Sequence, residues 1–308
     1  MSILLASKTK NMHPLKEKMS EIDPNLDIEV WPNVKHENKI LFAVAWNHPD
    51  QVLGKYKNLK AVASVGAGVD HLINDPSIPP DVTLCRTVIS SLKEQMFDYI
   101  ESSLLDIIRN RFFYFRKQLQ AEWKVIPNHL RSDFTTGIMG LGELGTFCAE
   151  KLASHGWKVC GWSKSKKSID GVDTFTGNSL DKFLNRTNIL ACLLPLTPET
   201  GDILSLDLFK KLKQPAYLIH AGRGEQLVEE DLLYAIDMDI IKTAVIDVFR
   251  KEPLPDSHPF WSRNQIIITP HVASLTDNSE AAQQLVENFK RLVSGKELLH
   301  TVNRDKGY

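Results

Sequence analysis

The sequence predicts an α/β chain of two doubly wound parallel-sheet domains. Three observations carry that reading. Apolar, strand-length runs alternate with helical patterns along the whole chain, as repeated strand–helix units require. A glycine turn, Gly140-Leu141-Gly142-Glu143-Leu144-Gly145, joins an apolar strand to a helix near the middle. With 308 residues and 43% hydrophobic content, the chain can bury two cores of ordinary size.

The elements follow in order. Ser2 to Ser7 is an apolar strand, Pro14 to Ser20 a helix, and Pro24-Asn25 a break. Leu26 to Trp31 and Ile40 to Trp46 are strands, the latter followed by Asn47-His48-Pro49. Val52 to Tyr56 is a short helix. Ala61 to Val65 is a fourth strand that runs into Gly66-Ala67-Gly68-Val69-Asp70, and Val82 to Cys85 is a fifth. Ser90 to about Gln120 reads as one long helical stretch, apolar at Leu92, Met96, Tyr99, Ile100, Leu104 and Ile107. Its Phe112-Phe113-Tyr114-Phe115 run reads as a packed face, suited to a subunit contact. Thr135 to Met139 is the strand before the glycine turn. The helix after it carries Leu144, Phe147, Cys148 and Leu152 at helical spacing and stops at His155-Gly156. Trp157 to Trp162 is the next strand. Asn188 to Leu194 is a nearly continuous apolar run, the mark of a buried parallel strand. Ala216 to His220, Thr243 to Asp247 and Ile266 to Thr269 complete the strands, and Asp277 to about Leu292 is the last helix.

Gly140, Gly142 and Gly145 fit G-x-G-x-x-G at the strand-to-helix turn of a Rossmann-like βαβ unit. The first glycine makes the tight turn. The second lets backbone approach a pyrophosphate, and the third brings the helix close to the sheet. The N–H groups at the helix start then face the anion, with the positive end of the helix dipole behind them.

Bulk properties exclude other classes. With 37 basic and 38 acidic residues the formal net charge is -1, which gives no electrostatic case for nucleic acid or an anionic membrane. The apolar run at Met1 to Ser7 is too short for a signal peptide, and no stretch approaches the roughly 18 apolar residues of a membrane span. Cys85, Cys148, Cys160 and Cys192 form no C-x-x-C pair and no metal spacing. They read as buried thiols of a cytoplasmic protein.

In open α/β sheets ligands bind beyond the carboxyl ends of the strands. Gly66, Gly140, Pro195, Arg223, Glu252 and His271 all fall just after predicted strands. Three of them form a chemical set. His271 exchanges protons near neutral pH and suits a general acid/base. Glu252 can hold its imidazole in one tautomer and stabilise the charged form. Arg223 offers a fork of donors to a carboxylate. No metal is needed, since Arg223 and His271 supply the polarisation. His48 near Trp46, and His220 before Arg223, read as hydrogen-bonded loop residues. The other histidines form no ligand spacing.

Taken together, several motifs resemble the ordered signatures of the D-2-hydroxyacid dehydrogenase family. They are the glycine turn, Ala221-Gly222-Arg223-Gly224, Asp247-Val248-Phe249-Arg250-Lys251-Glu252-Pro253-Leu254-Pro255 and Thr269-Pro270-His271-Val272-Ala273-Ser274. Gly66 to Asp70 resembles the family's substrate loop, so the match covers nearly the whole chain. Trp46 followed by Pro49, Arg86, Gln95-Met96 before Tyr99, and Gly161-Trp162-Ser163-Lys164 resemble its glyoxylate/hydroxypyruvate reductase branch.

The resemblance implies roles. Arg223 binds the substrate carboxylate and polarises the keto oxygen, His271 donates the proton, and Glu252 pairs with His271. Ala67, Gly68 and Val69 grip the carboxylate through backbone, and Trp46 walls the pocket. Gly140, Gly142, Glu143, Leu144, Gly145, Leu194, Pro195 and Ala221 line the cofactor, with Asp247 near the nicotinamide carboxamide. It also implies a discontinuous chain. Residues 1–102 and 275–308 form the substrate-binding domain, 103–274 form the NAD(P)-binding domain inserted in it, and the protein is a homodimer.

The cofactor reading comes from charge. An NAD-type site expects Asp or Glu at the end of the second strand, about 20 residues past the glycines. Here that position is Ser163-Lys164-Ser165-Lys166-Lys167. Hydroxyls and lysines attract a 2′-phosphate that an acid would repel, so NADPH is expected over NADH. The expected activity is reduction of small 2-keto acids, glyoxylate to glycolate and hydroxypyruvate to D-glycerate. The alternatives are a dehydrogenase of a larger or phosphorylated 2-keto acid and, from another class, a non-catalytic nucleotide-sensing corepressor. Retention of the Arg223, Glu252 and His271 set favours an enzyme.

Overall fold

The computed structural model describes residues 1–307, which form two compact units. One runs from Met1 to Leu92 and resumes at Leu275, and the other is Lys93–Ser274. Both carry the parallel sheets the sequence predicts.

The first unit holds β1 (Ser2–Ser7), β2 (Asp27–Val30), β3 (Ile40–Trp46), β4 (Ala61–Ser64) and β5 (Thr83–Cys85). All pairs are parallel, in the order β2-β1-β3-β4-β5. The connections leave β1 and β3 toward opposite sides, so these two strands make the switch point. Their last residues, Ser7 and Trp46, are register partners there. Buried Leu4, Ala6, Ala43, Ala45, Val62 and Leu84 come from four strands and fill one core. Apolar side chains on both strand faces are what a sheet covered on both sides requires. Helix α1 (His13–Ile22) packs on the C-terminal helix Asn278–Val293. Asp277 caps the latter, its carboxylate accepting from Ser279 N and Glu280 N at 2.9 and 2.8 Å. One turn of helix, α2 (Asp70–Ile73), follows the Gly66 loop and had no sequence signal of its own.

The second unit begins in the first turn of α3 (Ser90–Ile108). The single long helix expected here is two helices. Asn110 adopts φ +55°, which ends α3 and starts α4 (Arg111–Leu119). Its side-chain amide donates to Pro127 O at 2.9 Å, which holds the break. Then come β6 (Thr135–Met139), α5 (Glu143–Ser154), β7 (Lys158–Ser163), β8 (Val172–Thr176), β9 (Ile189–Cys192), β10 (Ala216–His220), β11 (Ile241–Ile246) and β12 (Ile266–Ile268). The sheet is parallel throughout, in the order β12-β11-β10-β9-β6-β7-β8, with its switch point between β6 and β9. β8 is an edge strand whose sequence carries no apolar run.

Candidate active site

The glycine turn leaves β6 at its switch-point end. Gly140 has φ +111°, and a Cβ on Gly145 would lie 1.8 Å from Gly140 O, so the helix start meets the turn backbone-to-backbone. Around Gly142 a Cβ would meet no atom within 4 Å. The N-terminus of α5, with Gly142 as its first cap residue, therefore faces open space. That cradle fits a nucleotide pyrophosphate. Glu143, in the first turn, pairs with Lys93 at 3.0 Å.

At the end of β7, Ser163 is buried and its hydroxyl donates to Ser165 O at 2.7 Å. Lys164 is exposed and pairs with Glu199 at 3.4 Å, while its carbonyl accepts from Thr176 Oγ1. The basic stretch is thus present and accessible, although one lysine already has an acidic neighbour.

Arg223 follows β10. Its Nη1 donates to Gly222 O at 2.8 Å, and its backbone N–H donates to Gln226 Oε1 at 2.9 Å. Gln226 had no sequence signal, yet it is fully buried and ties two loops together. Its amide NH2 donates to Leu194 O and Pro195 O at 3.1 and 3.0 Å. The loop after β9 and the loop after β10 are thereby locked in register. Ala221 sits in the same loop, half-buried. His220 is buried and bonds Arg223 O at 2.9 Å. Burial pushes its pKa down to about 4, with the charge of Arg223 acting the same way and the hydrogen bond opposing.

His271 and Glu252 meet directly, Nδ1 to Oε2 at 2.8 Å. The other oxygen of Glu252 accepts from Phe249 N at 3.0 Å. Burial would raise the Glu252 pKa. The bonds from His271 and Phe249, with the charges of His271 and Arg223, outweigh it and hold the carboxyl below its ordinary range. The influence of Arg223 on Glu252 places all three expected catalytic groups in one electrostatic neighbourhood.

His271 itself adopts φ +55°, in the left-handed region. Asp247 is what fixes its loop. Asp247 is 1% exposed, and both carboxylate oxygens are taken. Oδ1 accepts from Thr269 Oγ1 at 2.6 Å and Val272 N at 2.9 Å, and Oδ2 accepts from Ala273 N at 2.9 Å. Its backbone carbonyl accepts from His271 N at 2.8 Å. Behind Thr269 stands Tyr99, whose hydroxyl is 2.7 Å from Thr269 Oγ1. Burial pushes the Tyr99 phenol well above its usual range, so it stays protonated.

In the first unit, the loop after β4 is braced through its carbonyls. Gly68 O accepts from Ser64 Oγ at 2.6 Å and Gly66 O from Thr87 N at 3.1 Å. The N–H groups of Ala67, Gly68 and Val69 have no acceptor among the described residues. Successive unpaired N–H groups make an anion-binding concavity. Trp46 packs its ring on Gly66, where a Cβ would come 2.9 Å from Cζ3.

A family model for the D-isomer specific 2-hydroxyacid dehydrogenase NAD-binding domain matches residues 102–273, more than half of the chain. The chain belongs to the D-isomer specific 2-hydroxyacid dehydrogenase family. Its curated relatives in that family include the glyoxylate/hydroxypyruvate reductase A of Yersinia enterocolitica, 38% identical over 87% of each chain. The Escherichia fergusonii protein of the same name is 36% identical over 94% of each. Among solved dehydrogenase structures, the NADPH-dependent glyoxylate/hydroxypyruvate reductase of Sinorhizobium meliloti, in complex with NADP and sulfate, is 34% identical. That comparison covers 100% of both chains with a TM-score of 0.93. As in any NAD(P)-dependent enzyme of this family, the nicotinamide nucleotide supplies the redox chemistry. The open cradle at Gly142 fits it.

Proposed function

We propose that this dehydrogenase reduces glyoxylate and hydroxypyruvate with NADPH. The observation that carries the reading is the His271–Glu252 contact at 2.8 Å, with Arg223 acting on the same carboxylate. The two reductases similar to it in sequence, and the NADP complex from Sinorhizobium, support the choice of substrate and cofactor.

Residues 103–274 would bind the cofactor and 1–102 with 275–308 the substrate. Gly140, Gly142, Gly145, Glu143 and Leu144 would hold the pyrophosphate, and Ser163, Lys164 and Ser165 the 2′-phosphate. Leu194, Pro195, Ala221 and Asp247 would border the nicotinamide half. NADPH held there would supply the hydride for the keto carbon. Glu252 keeps Nδ1 of His271 engaged, which leaves Nε2 to carry the proton given to the keto oxygen. Arg223 pairs with the carboxylate and draws electron density from the carbonyl. The free N–H groups of Ala67, Gly68 and Val69 are assigned to the carboxylate, and Trp46 to the limit on side-chain size.

We also read the protein as a cytoplasmic homodimer. No helix among the described residues is long and apolar enough to cross a membrane. Four buried thiols suit a reducing compartment. Phe115, Leu119, Trp123, Val125 and Leu130 are exposed within one short span of the second unit, and Trp123 is 99% exposed. Such a surface calls for cover by a second copy.

Initial rates of NADPH and NADH oxidation with glyoxylate, hydroxypyruvate, pyruvate and phenylpyruvate test the reading. Fast NADPH turnover with the two small acids supports it. His271→Ala should then lose about 10²–10⁴ in kcat while still binding NADPH. Inactivity with every acid and both cofactors would overturn it.

A further inference from the structure

We propose that His71, backed by the buried His48–Asp75 pair, is a positioning residue. It fixes the Trp46 indole and so sets how large a 2-keto acid side chain is accepted. This rests on the assignment of Trp46 as the limit on side-chain size.

The observations lie wholly in the first unit. Trp46 is the last residue of β3 and is half-buried. Among the described residues, two neighbours restrict its ring. One is the backbone of Gly66, already described. The other is the His71 ring on α2, edge-on, with centroids 5.1 Å apart and planes at 63°. His71 is itself tied to the end of β3, its Nε2 lying 3.3 Å from Ala45 O, the carbonyl just before Trp46. The indole cannot swing away from Gly66 without displacing His71 or breaking that bond.

His71 is held from behind. The His48 ring stands 6.0 Å from it at 62°. Asn47, at φ +41°, turns the chain after β3 so that His48 comes back into the protein. There His48 Nε2 meets Asp75 Oδ2 at 2.8 Å, both side chains almost fully buried. Asp75 Oδ1 accepts from Ser77 N at 2.8 Å. Two apolar residues would hold this part of the fold at least as well, because removing two ionisable groups from water offsets most of their mutual attraction. What a directional pair adds is a single orientation of the His48 ring, and through it of His71. His48 Nδ1 is buried without a partner, so the ring is oriented by Asp75 alone among the described residues.

The test compares His71→Ala with His71→Phe, the latter keeping an aromatic edge against Trp46. Steady-state rates with NADPH are measured for glyoxylate, pyruvate, 2-oxobutyrate and phenylpyruvate. H71A should raise the kcat/KM ratio of phenylpyruvate to glyoxylate by about tenfold, chiefly through a lower KM for the larger acid. H71F should keep the wild-type ratio. The second readout needs no turnover. In enzyme labelled with 5-fluorotryptophan, the Trp46 fluorine resonance, assigned with Trp46→Phe, should be one sharp line in wild type and H71F. It should be broadened or split in H71A. An equal loss across all four acids, an unchanged ratio in H71A, or identical Trp46 resonances in wild type and H71A would overturn the proposal. Wild-type enzyme inactive on every acid would instead sink the functional reading, and the fluorine spectra would still decide whether His71 holds the indole.

Discussion

Asp247→Asn changes one oxygen to an NH2 group at the residue that holds the His271 loop. The carboxylate accepts three bonds, from Thr269 Oγ1, Val272 N and Ala273 N. An amide keeps one oxygen. If that oxygen sits at the Oδ1 position, the Ala273 N–H faces an NH2 group and a buried donor loses its acceptor, at about 1–3 kcal/mol. The two surviving bonds fall from charged to neutral acceptors, at about 1 kcal/mol each. Relief from burying a charge offsets part of this, leaving about 2–3 kcal/mol. For a unit of this size that is a fall in Tm of about 5–10 °C. Because the loop carries His271, kcat should fall about 10–100-fold, as a misplacement near 1 Å costs. The assays are calorimetry of the apoenzyme, kcat at saturating substrate, and NADPH affinity. Native Tm and kcat with weakened NADPH binding would refute the reasoning. The carboxylate would then serve the cofactor rather than the loop.

Other perturbations probe the remaining parts. Gly145→Ala forces a methyl against Gly140 O, so the turn must open; titration calorimetry should show NADPH affinity weakened at least about tenfold, an overpacking cost of roughly 1–3 kcal/mol. Wild-type affinity in that variant would remove the turn from the cofactor site. Ser163→Asp places a negative charge where a 2′-phosphate is expected and should lower the NADPH-to-NADH ratio of kcat/KM about tenfold; an unchanged ratio would move the phosphate site elsewhere. His220 is neutral in the fold because its pKa is pushed down to about 4, whereas the unfolded chain takes up that proton below about 6.5. Its share of stability is therefore full above pH 6.5 and lost as pH falls toward 4, amounting to about 2.5 kcal/mol at pH 4.5. Urea unfolding at pH 7 and pH 4.5 should show that difference shrink by this amount in His220→Asn, and an equal pH dependence in both proteins would contradict the assignment.

Much of this architecture is legible because it rests on local patterns. The run Ile189 to Leu194 is apolar throughout since β9 is central, paired on both sides by β6 and β10. His155-Gly156 ends α5 because Gly156 takes φ +83°. Arg223, Glu252 and His271 were recognisable together, as residues after consecutive strands. Elsewhere the deciding partner is distant. β8 is a half-exposed edge strand, so its sequence Val172-Asp173-Thr174-Phe175-Thr176 lacks the apolar run of a buried strand. The break at Asn110 depends on the carbonyl of Pro127, and nothing in the apolar spacing marks it. Gln226 matters because of Leu194 and Pro195, more than thirty residues before it. His48 and Asp75 are 27 positions apart, and neither has a motif.

The left-handed backbone at His271 has a consequence for how this chain responds to selection. At φ +55° a glycine sits without strain, whereas a side chain costs on the order of 1 kcal/mol. The fold would thus be better satisfied by another residue at this one position. Selection for heat resistance alone, with turnover left unscreened, would favour its replacement. A library sorted that way should lose histidine here before it loses Asp247, whose side chain the fold itself requires. On the role proposed for His271, catalysis and folding pull apart at position 271 and act together at position 247.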